Sequence, residues 1–156
     1  MQKTLVIIKP DSVKRRLVGK IISRFEEKGF EILGLKLMAI PESLARKNYS
    51  EHEGKDFFKK LIAFMTSGPV VILAIRGKNA IAVTRTMMGK TACHEAAPGT
   101  IRGDFGLSNR FNLIHGSDSH ESAEREIELF FNKNDLIDPV QTELKWIYDL
   151  SDGKIV

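Results

Sequence analysis

Apolar and polar positions fall into recognisable periods along most of this chain. Thr4–Lys9 is a β-branched, apolar run ending at Pro10-Asp11, a turn signal, and predicts a first strand. Lys9 then stands at a strand end, where side chains often reach a site. Gly19–Lys28 carries Ile21, Ile22 and Phe25 on one helical face, with Gly29 as a stop. Over Glu31–Ile40 the period becomes two. Leu33, Leu35, Leu37 and Ala39 are expected on one side of a half-buried strand, with Gly34 and Lys36 on the other. Pro41-Glu42-Ser43 opens a short helix to about Tyr49. Phe58, Leu61, Ile62 and Met65 mark another at helical spacing, ended by Ser67-Gly68-Pro69. Val70–Ile75 is continuously apolar and predicts a central strand. Asn79–Met88 predicts a helix closed by Gly89. Phe111–His115 predicts a short last strand. Ser119–Phe131 predicts a helix with Ala123, Ile127 and Phe130 on one face and acidic first turns. Residues 89–110 lack periodicity, and a loop that long in a small domain is usually functional or disordered. The tail Asp135–Val156, with Trp146 and Tyr148, is too apolar to be free. It is expected to pack on the body or on a neighbouring subunit.

The order is β-α-β-(αα)-β-α-β-α. Two split βαβ units fold most simply into a four-stranded antiparallel sheet covered by helices, the ferredoxin-like α+β plan (βαββαβ). Alternating strands and helices also permit a parallel sheet. The half-polar alternation of Glu31–Ile40 favours the antiparallel one.

Composition narrows the class. A chain of 156 residues fits one domain, here 1–156, and can bury a core without a disulfide or metal staple. Cys93 is the single cysteine, so no internal disulfide forms. The run Leu5–Ile8 is far too short to cross a membrane, and no membrane partner is expected. The default is a soluble, cytoplasmic domain. The net charge of +4 suggests a polyanionic partner without saying which.

Asn112-Leu113-Ile114-His115-Gly116-Ser117-Asp118 is the densest candidate site. It sets one imidazole at the end of an apolar strand, before a glycine turn and a helix start whose N–H groups suit phosphate. Histidine can serve there as nucleophile, base or metal ligand, or simply as a hydrogen-bonded turn residue. Arg102, between Gly99 and Gly103, offers a fixed fork of donors for phosphate oxygens or a surface pair with Asp104. Arg85 and Thr91 bracket a helix end and can serve one phosphate chain, or lie on a solvated face. Lys9 is an ammonium fixed by a strand end and a rigid turn. Phe57 lies off the apolar stripe that holds Phe58, and is either a stacking platform for a base or a partly covered core residue. His52, His94 and His120 show no metal-ligand spacing with one another or with Cys93. No GxxxxGK[ST] loop is present, so a phosphate enzyme here uses another architecture.

In this order the segments resemble the nucleoside diphosphate kinases. The matching stretches are Lys9-Pro-Asp11, Leu17-Val-Gly19, Arg24–Phe30, Ser67-Gly-Pro69, Pro98–Phe105, Asn112–Ser119, Glu121–Glu126 and Trp146-Ile-Tyr148. The resemblance runs from residue 3 to about 149. It implies a ping-pong transfer of the γ-phosphoryl of a nucleoside triphosphate such as ATP to a nucleoside diphosphate such as GDP. His115 occupies the position of the phosphorylated histidine. Glu126 matches the glutamate that bonds the far imidazole nitrogen, with Ser117 beside it. Arg85, Thr91 and Arg102 match the groups that grip the β- and γ-phosphates. Lys9 and Asn112 match the pair at the ribose hydroxyls, with Lys9 also near the transferred group. Tyr49 matches the active-site tyrosine, Phe57 the aromatic that stacks on the base, and Leu61 the residue below it. The cofactor implied is Mg²⁺, held mainly by the nucleotide phosphates, with Asp118 contacting it through water. A homohexamer is the assembly the resemblance favours.

Several positions depart from the family pattern. Ala92-Cys93 stand where Asn-Pro is usual, and Ser12 where glycine is usual. Asn109-Arg110-Phe111 replace an apolar residue, glycine and arginine, and Asn109 lies where the family packs an apolar side chain by the base. The alternative function is a non-catalytic nucleotide- or nucleic-acid-binding protein of the same fold, suggested by Lys14-Arg15-Arg16 and Lys59-Lys60. No site residue expected of an active enzyme is missing. RNA-recognition aromatics are not visible at their usual strand positions, so nucleic acid is not expected.

Overall fold

A computed structural model describes residues 1–138, 144–151 and 155. Strands β1 (Gln2–Ile8), β2 (Glu31–Ala39), β3 (Pro69–Gly77) and β4 (Ile114–Gly116) form one antiparallel sheet in the order β2-β3-β1-β4. This is the ferredoxin-like α+β arrangement. β1 and β3 run through the middle and are buried on both faces, so they read as unbroken apolar runs.

Helices cover both faces of the sheet. On one face Leu5, Ile7, Ile72 and Ala74 meet Phe58 and Ile62 of α4 (Phe58–Met65) and Phe130 of α7 (His120–Phe130). α3 (Glu42–Asn48) joins the same layer through Ala45. On the other face Val6, Ile8, Leu73 and Ile75 meet Ile21 and Phe25 of α2 (Val18–Glu27) and Met88 of α5 (Ala80–Met88). Ile101 of α6 (Ile101–Phe105) completes that core. Among the described residues no helix is long and apolar enough to cross a membrane.

The alternation expected in β2 fails at one place. A register shift between Ile32 and Gly34 inserts an extra residue, and the strand changes parity there. Leu33 stays buried, but Leu35 is 50% and Leu37 65% exposed, while Gly34 and Lys36 turn inward. A Cβ on Gly34 would come within 2.8 Å of the Phe131 ring.

Pro10-Asp11 does not end in a turn. Proline occupies the first position of a short helix, α1 (Pro10–Lys14), where its missing N–H costs nothing. The aperiodic stretch 89–110 holds α6, capped by the Thr100 hydroxyl accepting from Gly103 N–H at 3.1 Å. The last strand is shorter than expected, because residues 111–113 leave the sheet.

Part of the tail lies against the body. Ile137 N–H donates to Leu33 O at 2.8 Å, Lys78 N–H donates to the Tyr148 hydroxyl at 3.1 Å, and Arg76 pairs with Glu31 and Asp138. The described α8 (Leu144–Ile147) leaves Trp146 81% exposed. The expectation for 139–143, 152–154 and 156 lies outside the described residues.

Candidate active site

His115 sits in β4, which pairs with β1 at the sheet edge. Its Nε2 lies 3.0 and 3.2 Å from the two carboxylate oxygens of Glu126 on α7. Glu126 is 97% buried, and its Oε2 also accepts from the Ser117 hydroxyl at 2.7 Å. Ser117 in turn accepts from Leu5 N–H of β1 at 3.2 Å. Strand, helix and serine together fix the carboxylate, and the carboxylate fixes the ring. With Nε2 carrying the proton toward Glu126, the lone pair resides on Nδ1, for which no partner occurs among the described residues. Tyr49 presents its ring edge-on to His115, with centroids 5.5 Å apart. Its phenol is held well above the usual range, first by burial and then by the Glu126 charge, so it stays neutral.

The backbone before His115 is bent sharply. Leu113, fully buried, has φ of 73°, and Ile114 N–H reaches back to Asn112 O at 2.8 Å across it. Such a three-residue turn is rare and strained, at a cost of about 1–3 kcal/mol, and needs surroundings that enforce it. The start of the chain supplies them. Asp11 accepts from Leu113 N–H at 3.1 Å, and the Ser12 hydroxyl and Lys9 N–H both donate to Leu113 O, at 2.8 and 2.9 Å. Ser12, where glycine is usual, is thus part of the clamp. The bend swings Asn112 toward Lys9, whose Nζ donates to Asn112 Oδ1 at 2.5 Å.

Every candidate except Ser117 lines one cavity of about 640 Å³. Ser117 is fully buried behind it, holding Glu126. Lys9 is buried, and burial with the nearby Arg102 guanidinium lowers its ammonium to about 8. Arg102 spends three donors on backbone: Nε to Asn112 O, and its terminal nitrogens to Gly89 O and Ile114 O, at 2.8–3.1 Å. It therefore knits the loop after α5 to β4 and the turn before it, and two of its five N–H groups are left for a ligand. The loop turns at Gly89, where φ is 81°. Gly103 is required by a close approach, since a Cβ there would lie 2.0 Å from Ala97 O. Cys93, in the same loop, is buried and free. Arg85 and Thr91 are exposed at the cavity wall, and Asp118 stands beside them. A hydrogen bond from Ser122 holds the Asp118 carboxyl below the usual carboxylate range, with the Arg85 charge adding to it.

The far end is apolar. Phe57, at the start of α4, is 49% exposed, in line with its place off the core stripe. Leu61 and Phe64 follow it on the same helix. His52, which sequence spacing left without a role, packs between Tyr49 and Phe57, with ring centroids at 6.4 and 5.4 Å. Glu51, Lys60 and Arg110 also line the cavity without having been singled out as site residues. Arg110 stood out only as a departure from the family pattern and Lys60 only as part of a basic pair, while Glu51 carried no signal of its own. Among the described residues no three His, Cys, Asp or Glu side chains group to hold a metal ion. The arrangement is an oriented imidazole flanked by cations, with an aromatic shelf at the other end. It can accept a phosphoryl group and hold a nucleotide that carries one.

Comparison with known proteins points the same way. Residues 2–136 match the family model described as nucleoside diphosphate kinase. The chain is 52% identical over 149 residues to a nucleoside diphosphate kinase of Staphylococcus epidermidis, covering 96% of this chain and 100% of that one. It is 55% identical over 137 residues to one from Methanocaldococcus jannaschii, covering 88% and 98%. In structure it resembles a halophilic nucleoside diphosphate kinase from Halobacterium salinarum solved in complex with CDP. The TM-score is 0.92 at 46% identity, covering 95% of this chain and 99% of that one.

Proposed function

Because the chain belongs to the nucleoside diphosphate kinase family, and is a phosphotransferase of that kind, we propose that Nδ1 of His115 carries the phosphoryl group between nucleotides. The observation that carries this reading is the Glu126 contact at Nε2, which leaves the opposite nitrogen unprotonated within the cavity.

In the first half-reaction the Nδ1 lone pair attacks the γ-phosphorus of a nucleoside triphosphate. The bond from that phosphorus to the bridging oxygen breaks, and the diphosphate leaves. The imidazole gains positive character, which the buried Glu126 carboxylate offsets from the far side. In the second half-reaction a terminal oxygen of another diphosphate attacks the phosphohistidine, and Nδ1 recovers its lone pair. Arg85, Thr91 and the free donors of Arg102 hold the phosphate chain, while Lys9 and Asn112 face the sugar and the transferred group. Phe57 and Leu61 carry the base. Little covalent work remains for the protein beyond this positioning and charge stabilisation.

The donor set fits a divalent cation that brings its own ligands. Asp118 is the exposed carboxylate at the phosphate end, and no protein cage exists among the described residues. Asp118 is the residue that would face such an ion, Mg²⁺ by family resemblance, and the ion would supply charge neutralisation at the phosphate chain. The enzyme acts in the cytoplasm, where nucleoside di- and triphosphates meet. It works as a homohexamer, and the exposed Leu35 and Leu37 on edge strand β2 are apolar surface that a neighbouring subunit would cover. Light scattering measures the assembly.

The test of the reaction is a phosphoenzyme assay. Incubation with γ-labelled ATP and Mg²⁺ gives an acid-labile label that moves to GDP and is absent from His115→Asn. Label retained by that variant removes His115 as the nucleophile.

A further inference from the structure

The outer end of the cavity has two walls. α4 supplies one, with Phe57, Lys60 and Leu61. The segment between α6 and β4 supplies the other, with Asn109 and Arg110. The second wall is anchored on the first, because Phe111 packs edge-on against Phe64 with centroids 5.2 Å apart. The Ser108 hydroxyl accepts from the N–H groups of Arg110 and Phe111 at 3.2 and 3.3 Å and sets the turn. The Arg110 guanidinium lies 5.8 Å from the Phe111 ring centroid and makes no ion pair among the described residues. The rings of Tyr49 and His52 lie between His115 and Phe57, so this end is remote from the transferred group.

We propose that Asn109 and Arg110 read the edge of the base stacked on Phe57, and that they favour guanine. The proposal rests on the nucleotide reading of this cavity. A shelf built of stacking surface alone treats all bases alike, since each has a π-face. A guanidinium and an amide on the facing wall do not. The arginine fork presents paired donors, and guanine answers with two acceptors, O6 and N7. Adenine offers N7 beside an amino group that is itself a donor. Uracil offers one acceptor, O4, and cytosine presents an amino group there. The Asn109 amide supplies a second donor near the same edge. The expected order of acceptors is GDP, then UDP, then ADP and CDP.

The experiment starts from enzyme phosphorylated with ATP and freed of nucleotide. It measures second-order rate constants for transfer to limiting GDP, IDP, UDP, ADP and CDP. The expected advantage of GDP over ADP is roughly tenfold, the lower part of the range for a bidentate contact. IDP, which keeps O6 and N7 but lacks the 2-amino group, matches GDP. Arg110→Met keeps the apolar stem and removes every donor, and brings the GDP-to-ADP ratio close to one. Equal rates in the unaltered enzyme, or an unchanged ratio in Arg110→Met, overturn the proposal. So does a parallel fall with every acceptor, which marks a charge or stacking role. Failure of the enzyme to take up label at the start counts against the phosphohistidine reading instead.

Discussion

Glu126 meets the His115 ring at Nε2, 3.0 Å away, and the Ser117 hydroxyl bonds the same carboxylate oxygen at 2.7 Å. One buried carboxylate thereby sets the tautomer, the tilt and the charge balance of the imidazole. Glu126→Gln can hydrogen-bond the ring but cannot offset its charge. It is expected to slow phosphoenzyme formation roughly 10- to 100-fold, the usual range for losing such a partner. Ser117→Ala removes one hydrogen bond to that carboxylate and is expected to cost about 1.5–3 kcal/mol of stability with a smaller effect on rate. Rapid-quench kinetics and urea unfolding separate the two. Full speed in Glu126→Gln would falsify the positioning role.

Lys9 is expected to give the proposed reaction a pH limb. Burial, with Arg102 close by, lowers its ammonium to about 8 from the 10.5 of a free lysine. The free enzyme loses that charge as pH rises through about 8, so kcat/KM is expected to fall there. Stability moves the other way. Between about 8 and 10.5 the unfolded chain holds a proton that the folded chain has released, so this group's contribution to stability rises with pH across that window. Lys9→Met is expected to lack both trends. Parallel pH series of kcat/KM and of urea midpoints check the pair of signs.

Phe57 is half-exposed and lies outside the core clusters, so it can be removed without unfolding the chain. Phe57→Ala is expected to weaken nucleotide binding by about 1–3 kcal/mol, the cost of one lost stacking surface. The melting temperature in the absence of nucleotide should stay within a degree or two of the parent's, whereas the shift on adding GDP should shrink. An undiminished shift would show that the base lies elsewhere.

Leu113 inverts a common expectation. Glycine is normally the worse replacement for a buried residue, because it adds chain entropy to the loss of side chain. Here φ is 73°. Both Leu113→Ala and Leu113→Gly lose a fully buried leucine, at about 2–5 kcal/mol. Alanine keeps the Cβ that resists this backbone, and glycine does not, so Leu113→Gly should be the more stable by about 1 kcal/mol. Urea titration of the two variants ranks them directly, and the opposite order would mean that the turn has opened.

Some candidate residues were legible in the sequence as polar or aromatic types out of place in their elements, while the roles of Tyr49, Leu61, Ser117 and Glu126 came only from the family resemblance. Lys9, Asn112 and His115 stand where apolar runs stop, and Phe57 betrays itself by lying off a helical stripe. The ferredoxin-like order of strands followed from the same punctuation. Where the reading of local structure went astray, a neighbour in space had the deciding vote. The bulge at β2 is invisible in a leucine-rich alternation, and it sends Leu35 and Leu37 to the surface. The α6 helix is five residues long, and its cap Thr100 was hidden among glycines. Pro10 is equally compatible with a turn and with a helix start, and the contacts that Asp11 and Ser12 make with Leu113 select the helix. His52 and Arg110 come together only in the cavity that both line, which no spacing along the chain announces.

The pairing of β4 with β1 also bears on how the protein is made. Leu5 N–H and the Ser117 hydroxyl that accepts from it are 112 positions apart. The first strand therefore leaves the ribosome long before the strand that completes the site, and α7 with Glu126 comes later still. Closing so long a span is slow relative to forming local helices. A ligand that touches residues of both segments would hold these distant strands together by mass action, and would do so only after the later strand has docked.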